Sequence, residues 1–165
     1  MANNSYMSIS GINSGLISAG CSTPESMGKK CQATHVDEIM VLSVDHGLLA
    51  GNNSRDLGSN ARHLPVVITK YVDKSSPLLA KALDDGENIK CTIHLYRTSV
   101  TASEEKYYKI ELREARITQI ALSIPPASSR GDSQPIETVA IRYGDIILEH
   151  ITASTSAGMT WQAEK

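Results

Sequence analysis

Alternation of apolar and polar residues dominates this sequence, and it predicts a mainly β protein with one short helix. Ile89, Cys91, Ile93 and Leu95 fall on one side of Asn88–Thr98, which is the period of a strand with one buried face. Leu64, Val66 and Ile68 repeat the pattern. Only Ser76–Asp85 carries a helical stripe together with start and stop signals. A tally of about eight strands and one helix points to an antiparallel chain that closes into a barrel or folds as a sandwich.

In chain order, Ser5–Ser10 and Ile12–Ile17 read as short strands around a glycine turn, and Gly20–Thr34 as a polar loop. Asp37–His46 is a stronger strand, apolar enough to be covered on both faces. From Gly47 to His63 no strand or helix period shows, and the segment is rich in Gly, Asn and Ser. A loop of that length inside a compact domain often has a function. The helix follows. Asp73, Ser75 and Ser76 offer side-chain oxygens to orphan N–H groups, and Pro77 suits the first turn. Leu78, Leu79, Ala82 and Leu83 form its apolar stripe, and Gly86 ends it.

The stretch Lys106–Ile124 reads two ways. Ile110, Ile117, Ile120, Ala121 and Ile124 fit a helix. A strand requires two register shifts: Ile110 with Leu112, then Ala115 with Ile117, then Ile120, Leu122 and Ile124. Such shifts are bulges, of the kind that bend a strand around a barrel. Tyr107, Tyr108 and the β context decide for the strand. Pro125–Pro135 is a loop, and Ile136–Ile151 is a long strand or a hairpin around Tyr143, Gly144 and Asp145. The tail from about 153 to 165 is small, polar and flexible, with Trp161 near its end.

The length of 165 residues fits one domain, 1–165, able to bury a core without staples. Hydrophobic residues make up 41% and charged residues 21%, ordinary values for a soluble fold. A net charge of −2 gives no long-range field toward nucleic acid or an anionic membrane. Phenylalanine is absent and aromatics are few, which argues against base-stacking platforms. No apolar run approaches a bilayer span, so no membrane insertion is expected. The N-terminal sequence MANNSYMSISG lacks a cationic start and an apolar core, so no cleaved signal peptide is expected and the chain should fold in the cytosol.

Motifs for catalysis are missing. There is no GxSxG elbow, P-loop, HExxH or CxxC pair, and no metal or cofactor is expected. Asp45 and His46 are adjacent and in a strand point to opposite faces. The carboxylate pairs Asp37–Glu38, Asp84–Asp85 and Glu104–Glu105 read as solvated surface. Cys91 reads as a small buried hydrophobe; Cys21 and Cys31 flank a turn-rich loop across which a disulfide could close. Arg130-Gly131-Asp132 spells a cell-adhesion tripeptide, from residue types that turns also favour.

Thr69–Leu83, TKYVDKSSPLLAKAL, resembles the signature of the Hcp (haemolysin-coregulated protein) family of bacterial type VI secretion. Segments SYMSISGINSG, HVDEIMVLSVDHG, ENIKCTIHLYR, YYKIEL and ETVAIRYGDIILEH follow the family's order along nearly the whole chain. The resemblance implies an antiparallel two-sheet β-barrel with one flanking helix at about Ser76–Asp85. It also implies a homohexameric ring that stacks into a tube inside a contractile sheath, under the VgrG spike protein. Such a tube leaves the cell when the sheath contracts and carries small effector proteins in its lumen. The protein would be cytoplasmic before firing, then secreted, a structural subunit and not an enzyme. The long loop at about 47–63 would match the family's extended loop, which puts Leu48, Leu49, Arg55, Asp56 and Leu57 at assembly contacts. Ser43 and Asp45, near the end of a central strand, are candidates for the lumen. The chain leaves no room for the C-terminal toxin domain of some relatives. The alternative is a monomeric β-barrel that holds a small ligand in its own interior.

Overall fold

A computed structural model describes residues 4–50, 61–128 and 134–161. Strand β1 (Ser5–Gly11) buries Tyr6, Met7 and Ile9. It pairs antiparallel with β3 (Ile39–Asp45) on one side and β7 (Ile89–Thr98) on the other. Met7 faces Ile93 and Ile9 faces Cys91 across the second pairing, so the apolar sets of both strands fall on one face. Strand β6 (Val66–Tyr71) joins β3 to β9 (Ile136–Arg142). The long β8 (Glu104–Ser123) pairs with β7 along its first half and with β9 along its second. The order β7-β1-β3-β6-β9-β8 therefore returns on itself and closes a barrel. Closure removes the unpaired edges that an open sheet would expose.

Strand β8 makes that closure possible. Its register slips where Leu112 pairs with Cys91 and Ala115 with Ile89, and again between Ile117 and Gln119. Glu114 between the first pair of landmarks has φ of 48°, a left-handed bend in the strand. The inward set runs Ile110, Leu112, Ala115 and Ile117, with Ile120 half-buried, so both expected shifts are present. Leu122 and Ile124 beyond them are exposed. The Lys106–Ile124 stretch is thus a strand, and its helical look comes from bulges that break the two-residue period.

Two more strands extend the sheet from β8. β10 (Asp145–His150) pairs with β8, and β11 (Thr155–Thr160) pairs with β10. Because β9 and β10 both lie along β8, residues 136–150 form one kinked strand and not a hairpin. The kink is at Gly144, whose N–H is shared by the carbonyls of Arg113 and Glu114. A Cβ there would stand 3.1 Å from the Glu114 Cβ, so glycine lets the two strands close up.

Several expectations are corrected. The C-terminal segment is not a flexible tail throughout, since Thr155–Thr160 is paired; a ladder to β10 orders side chains too small to signal a strand. The ends of the 47–63 loop pair with each other as β4 (Leu48–Leu49) and β5 (Arg62–His63). In β3, Leu42 is exposed, so that strand is covered on one face and not both. Only Gly15–Leu16 (β2) is extended in the second expected strand, and Ile12 is exposed. The polar loop holds a short helix α1 (Pro24–Met27) and 3-10 turns at Gly28–Lys30 and Ala33–His35.

The main helix, α2 (Ser76–Asp84), packs on β8 through Leu79 and Ala82, while Leu78 faces solvent. Gly86 at φ 61° ends it as expected. The Lys81 ammonium lies 2.6 Å from the Asp85 carboxylate and offsets an acidic group at the negative helix end.

Just beyond α2, Glu87 holds the β1–β2 turn. Its carboxylate accepts the Asn13 and Ser14 N–H groups and the Ser14 hydroxyl, each at 2.6 Å. The Ser14 hydroxyl bond leads the effects that keep Glu87 below the usual 4.5, followed by an opposing desolvation and the two N–H bonds. Its support is therefore full above about pH 4.5 and fades as pH falls through the lower folded value. Glu87→Gln is expected to speed amide exchange at Asn13 and Ser14 at neutral pH while β7 and β8 stay protected. Hydrogen-exchange NMR reads this directly, and unchanged exchange at both amides would refute it.

Candidate functional site: a buried charge anchor and the root of an arm

Two polar clusters organise the molecule. The first lies under α2. The Lys70 side chain is completely buried on β6. Its ammonium donates to Glu137 Oε2 on β9 at 2.7 Å, to the Tyr71 carbonyl at 2.9 Å and to Ser76 Oγ at 3.1 Å. Asp73 Oδ1 stands 3.1 Å away. The Ser76 hydroxyl donates to Glu137 Oε2 at 2.8 Å and accepts the Asp73 N–H at 3.0 Å. Asp73 in turn accepts from the N–H and the hydroxyl of Ser75. Lys70, Asp73, Ser75 and Ser76 all belong to the signature segment, and together they tie β6, β9 and α2 at one point. Asp73 and Ser76 thus supply the expected turn chemistry, whereas Ser75 sits at the N-cap position without making a side-chain cap.

Cys21 is fully buried against this anchor, its thiol 3.7 Å from the Ile17 carbonyl. Burial first, and then the Asp73 charge, push it up to about 11. A thiol in that state is neither a nucleophile nor a redox sensor at neutral pH. The disulfide that Cys21 and Cys31 could have closed is not formed: both thiols are free, Cys21 turned into the core and Cys31 partly exposed after a 3-10 turn. Cys91 is the buried hydrophobe it was read as, and burial raises its thiol further.

The second cluster is where the 47–63 segment leaves the barrel. His46, just after β3, brings Nε2 to 2.9 Å from the Tyr143 hydroxyl. His63, at the end of β5, brings Nδ1 to 2.8 Å from the same oxygen. Trp161 closes the group: it stacks on His63 with ring centroids 5.9 Å apart and meets Tyr143 edge-on at 5.1 Å. The Trp161 backbone N–H donates to the Gly144 carbonyl at 2.7 Å, and the Arg142 guanidinium lies 4.7 Å over the indole ring. Burial first, and then the neighbouring His63, keep His46 below its usual 6.5, and burial raises Tyr143 to about 12.

From this root the β4–β5 ribbon carries Leu48 and Leu49 outward, 39% and 48% exposed. Arg55, Asp56 and Leu57 lie outside the described residues, as does the Arg130-Gly131-Asp132 tripeptide. Ser43 and Asp45 are exposed on β3, opposite Thr69 and Val67 of β6. In the β6–β9–β8 sheet the arm adjoins the end marked by Val66 and Arg142. The opposite end, marked by Tyr71, Ser123 and Ile136, exposes Val72, Leu122 and Ile124.

Sequence reasoning missed the Lys70–Glu137 pair and the His46–Tyr143–His63 bridge. Their members lie 67, 97 and 80 residues apart, so no local spacing could announce them. Among the described residues no group of three His, Cys, Asp or Glu side chains is placed to hold a metal.

These features define a helix-flanked, closed antiparallel β-barrel from which a β4–β5 ribbon projects Leu48 and Leu49. The sequence pattern described as "Type VI secretion system effector, Hcp" matches residues 6–150. The chain belongs to the Hcp family. It is 36% identical to the Major exported protein of Pseudomonas aeruginosa over 99% of its own length and 98% of that protein's. It is 35% identical to the uncharacterised protein YhhZ of Escherichia coli, over 94% of this chain but 37% of that longer protein. Among solved structures it is similar to an Hcp protein crystal structure, with TM-score 0.91, 32% identity, and 99% and 100% of the two chains covered. Secreted protein Hcp3 from Pseudomonas aeruginosa gives TM-score 0.86 at 36% identity, over 98% and 100% of the chains.

Proposed function

We propose that this protein is the tube subunit of a type VI secretion system. Six copies form a ring, rings stack into a tube, and sheath contraction drives the tube, capped by VgrG, out of the cell without a cleaved signal. Small effectors travel in the lumen between subunits, and the chain itself performs no catalysis. Beside family membership, the observation that carries this reading is the pair of unlike apolar surfaces at the two ends of one sheet. Leu48 and Leu49 lie at one end, and Val72, Leu122 and Ile124 at the other. A head-to-tail assembly needs two different patches on each subunit, whereas a two-fold dimer needs one. On this reading Leu48 and Leu49 are assembly contacts, with Arg55, Asp56 and Leu57 in the same segment, and Ser43 and Asp45 face the lumen.

The rival reading, a monomeric barrel with an internal ligand, is disfavoured by the interior. Met7, Ile9, Ile39, Ile68, Ile93, Leu112, Val139 and Ile141 fill it with side chains. The test is the solution mass by light scattering at two concentrations. The expected species is near six times 17.8 kDa, and Leu48→Asp with Leu49→Asp lowers its fraction. A monomer at both concentrations would count against the tube.

A further inference from the structure

We propose that His46, Tyr143 and His63 form an acid-sensitive latch that fastens the root of the β4–β5 arm to the barrel and releases it when both imidazoles are protonated. The link from latch to assembly rests on the tube reading above; the latch itself does not.

A tyrosine hydroxyl has one proton to donate and lone pairs to accept with. With His46 Nε2 and His63 Nδ1 both within 2.9 Å of the Tyr143 oxygen, one imidazole must accept and the other must donate. One added proton is tolerated, because the donating imidazole can be the charged one. A second proton turns the accepting nitrogen into a donor. Two N–H groups then face one oxygen, the buried hydroxyl proton loses its acceptor, and two positive charges flank it. The loss of that acceptor and the charge repulsion both weaken the bridge.

The surroundings give the second charge little relief. Trp161 covers His63, and the Arg142 guanidinium, 4.7 Å over the Trp161 ring, is also positive. Asp145 in the following strand accepts the Thr160 hydroxyl at 2.7 Å, and Glu114 lies against Gly144. Asp45 and Arg62 are the exposed chain neighbours of the two histidines. His46 already sits below its usual 6.5 because of burial and His63. Its neutral form therefore supports the fold fully above about pH 6.5, and that support is lost as pH falls through the lower folded value.

The geometry places both feet of the arm on one hydroxyl. His46 stands two residues before the start of β4, and His63 belongs to β5. Opening the bridge frees both strands of the ribbon together, and with them Leu48 and Leu49.

Trp161, the single tryptophan, stacks on His63 and reports on it by fluorescence, since a protonated imidazole quenches an adjacent indole. The experiment titrates the full chain from pH 8 to 4.5, following Trp161 emission and light-scattering mass in parallel. The expected emission curve has two steps, one for each proton the bridge takes up. The lower step should coincide with loss of the assembled species. Tyr143→Phe and His46→Gln should each merge the steps into one, and His63→Gln should abolish the quench. A single step in the unmodified chain, or two steps that persist in Tyr143→Phe and His46→Gln, overturns the latch. Two steps with no change in assembled mass overturn its link to assembly. A chain that is monomeric at every pH refutes the tube reading, and its emission curve still decides the latch.

Discussion

Lys70→Ala is expected to cost about 3–5 kcal/mol of folding stability, the usual cost of removing one partner from a buried ion pair. Lys70 is the only cation among the anchor residues, facing Glu137 at 2.7 Å and Asp73 at 3.1 Å. Without it, two buried carboxylates remain uncompensated, Glu137 with the Ser76 hydroxyl as donor and Asp73 with the N–H and hydroxyl of Ser75. Chemical denaturation followed by circular dichroism measures the loss. A matched variant separates charge from shape: Lys70→Met with Asp73→Asn and Glu137→Gln removes every charge at similar volume, and should recover most of the stability. A loss below about 1 kcal/mol for Lys70→Ala, the range of exposed pairs, would show that water reaches the anchor. The result bears on function because this anchor holds α2 against the sheet that carries the two apolar ends.

Leu112→Ala should cost about 2–5 kcal/mol, from lost burial and the cavity left behind. Leu112 is fully buried and pairs with Cys91 of β7 on one side and Ile146 of β10 on the other. It sits at the junction of the barrel and the β10–β11 extension, one turn of pleat before the Glu114 bend. For a chain of this size each kcal/mol lowers the melting temperature by about 2–4 °C, so calorimetry resolves the effect. Leu122→Ala is the control. That residue lies on the same strand but is 55% exposed, and its change should stay within about 0.5 kcal/mol. Equal losses at both positions would contradict the register described for β8.

The strands with steady alternation were legible residue by residue. β7 and β6 stand where Ile89–Leu95 and Val66–Ile68 put them, and α2 ends at Gly86 because the stop signal is local. The bulged β8 could be read in part: its first two inward pairs and Ile120 are visible once two slips are allowed, whereas Leu122 and Ile124, expected to follow Ile120 inward, face solvent. β11 could not. Thr155–Thr160 has no large apolar residue except Met159, and its order comes from β10. The arm was read as a functional loop from its length, its composition and the family's extended loop, whereas its paired ends depend on Leu48 meeting His63 and Leu49 meeting Arg62.

The sequence by itself determined the fold class, the helix limits, the family and the lack of catalytic motifs, because each depends on short-range period, turn chemistry or a contiguous signature. Only the tertiary structure decided what the signature is for. In the chain, Lys70, Asp73 and Ser76 are ordinary polar residues; burial beside Glu137 makes them an anchor. His46, His63, Tyr143 and Trp161 likewise read as scattered, and the closed barrel brings both histidines onto the Tyr143 hydroxyl with Trp161 packed against His63 and Tyr143. Contacts between residues 67 to 97 positions apart leave no trace in local pattern, because the energy that selects them exists only after the sheet has closed.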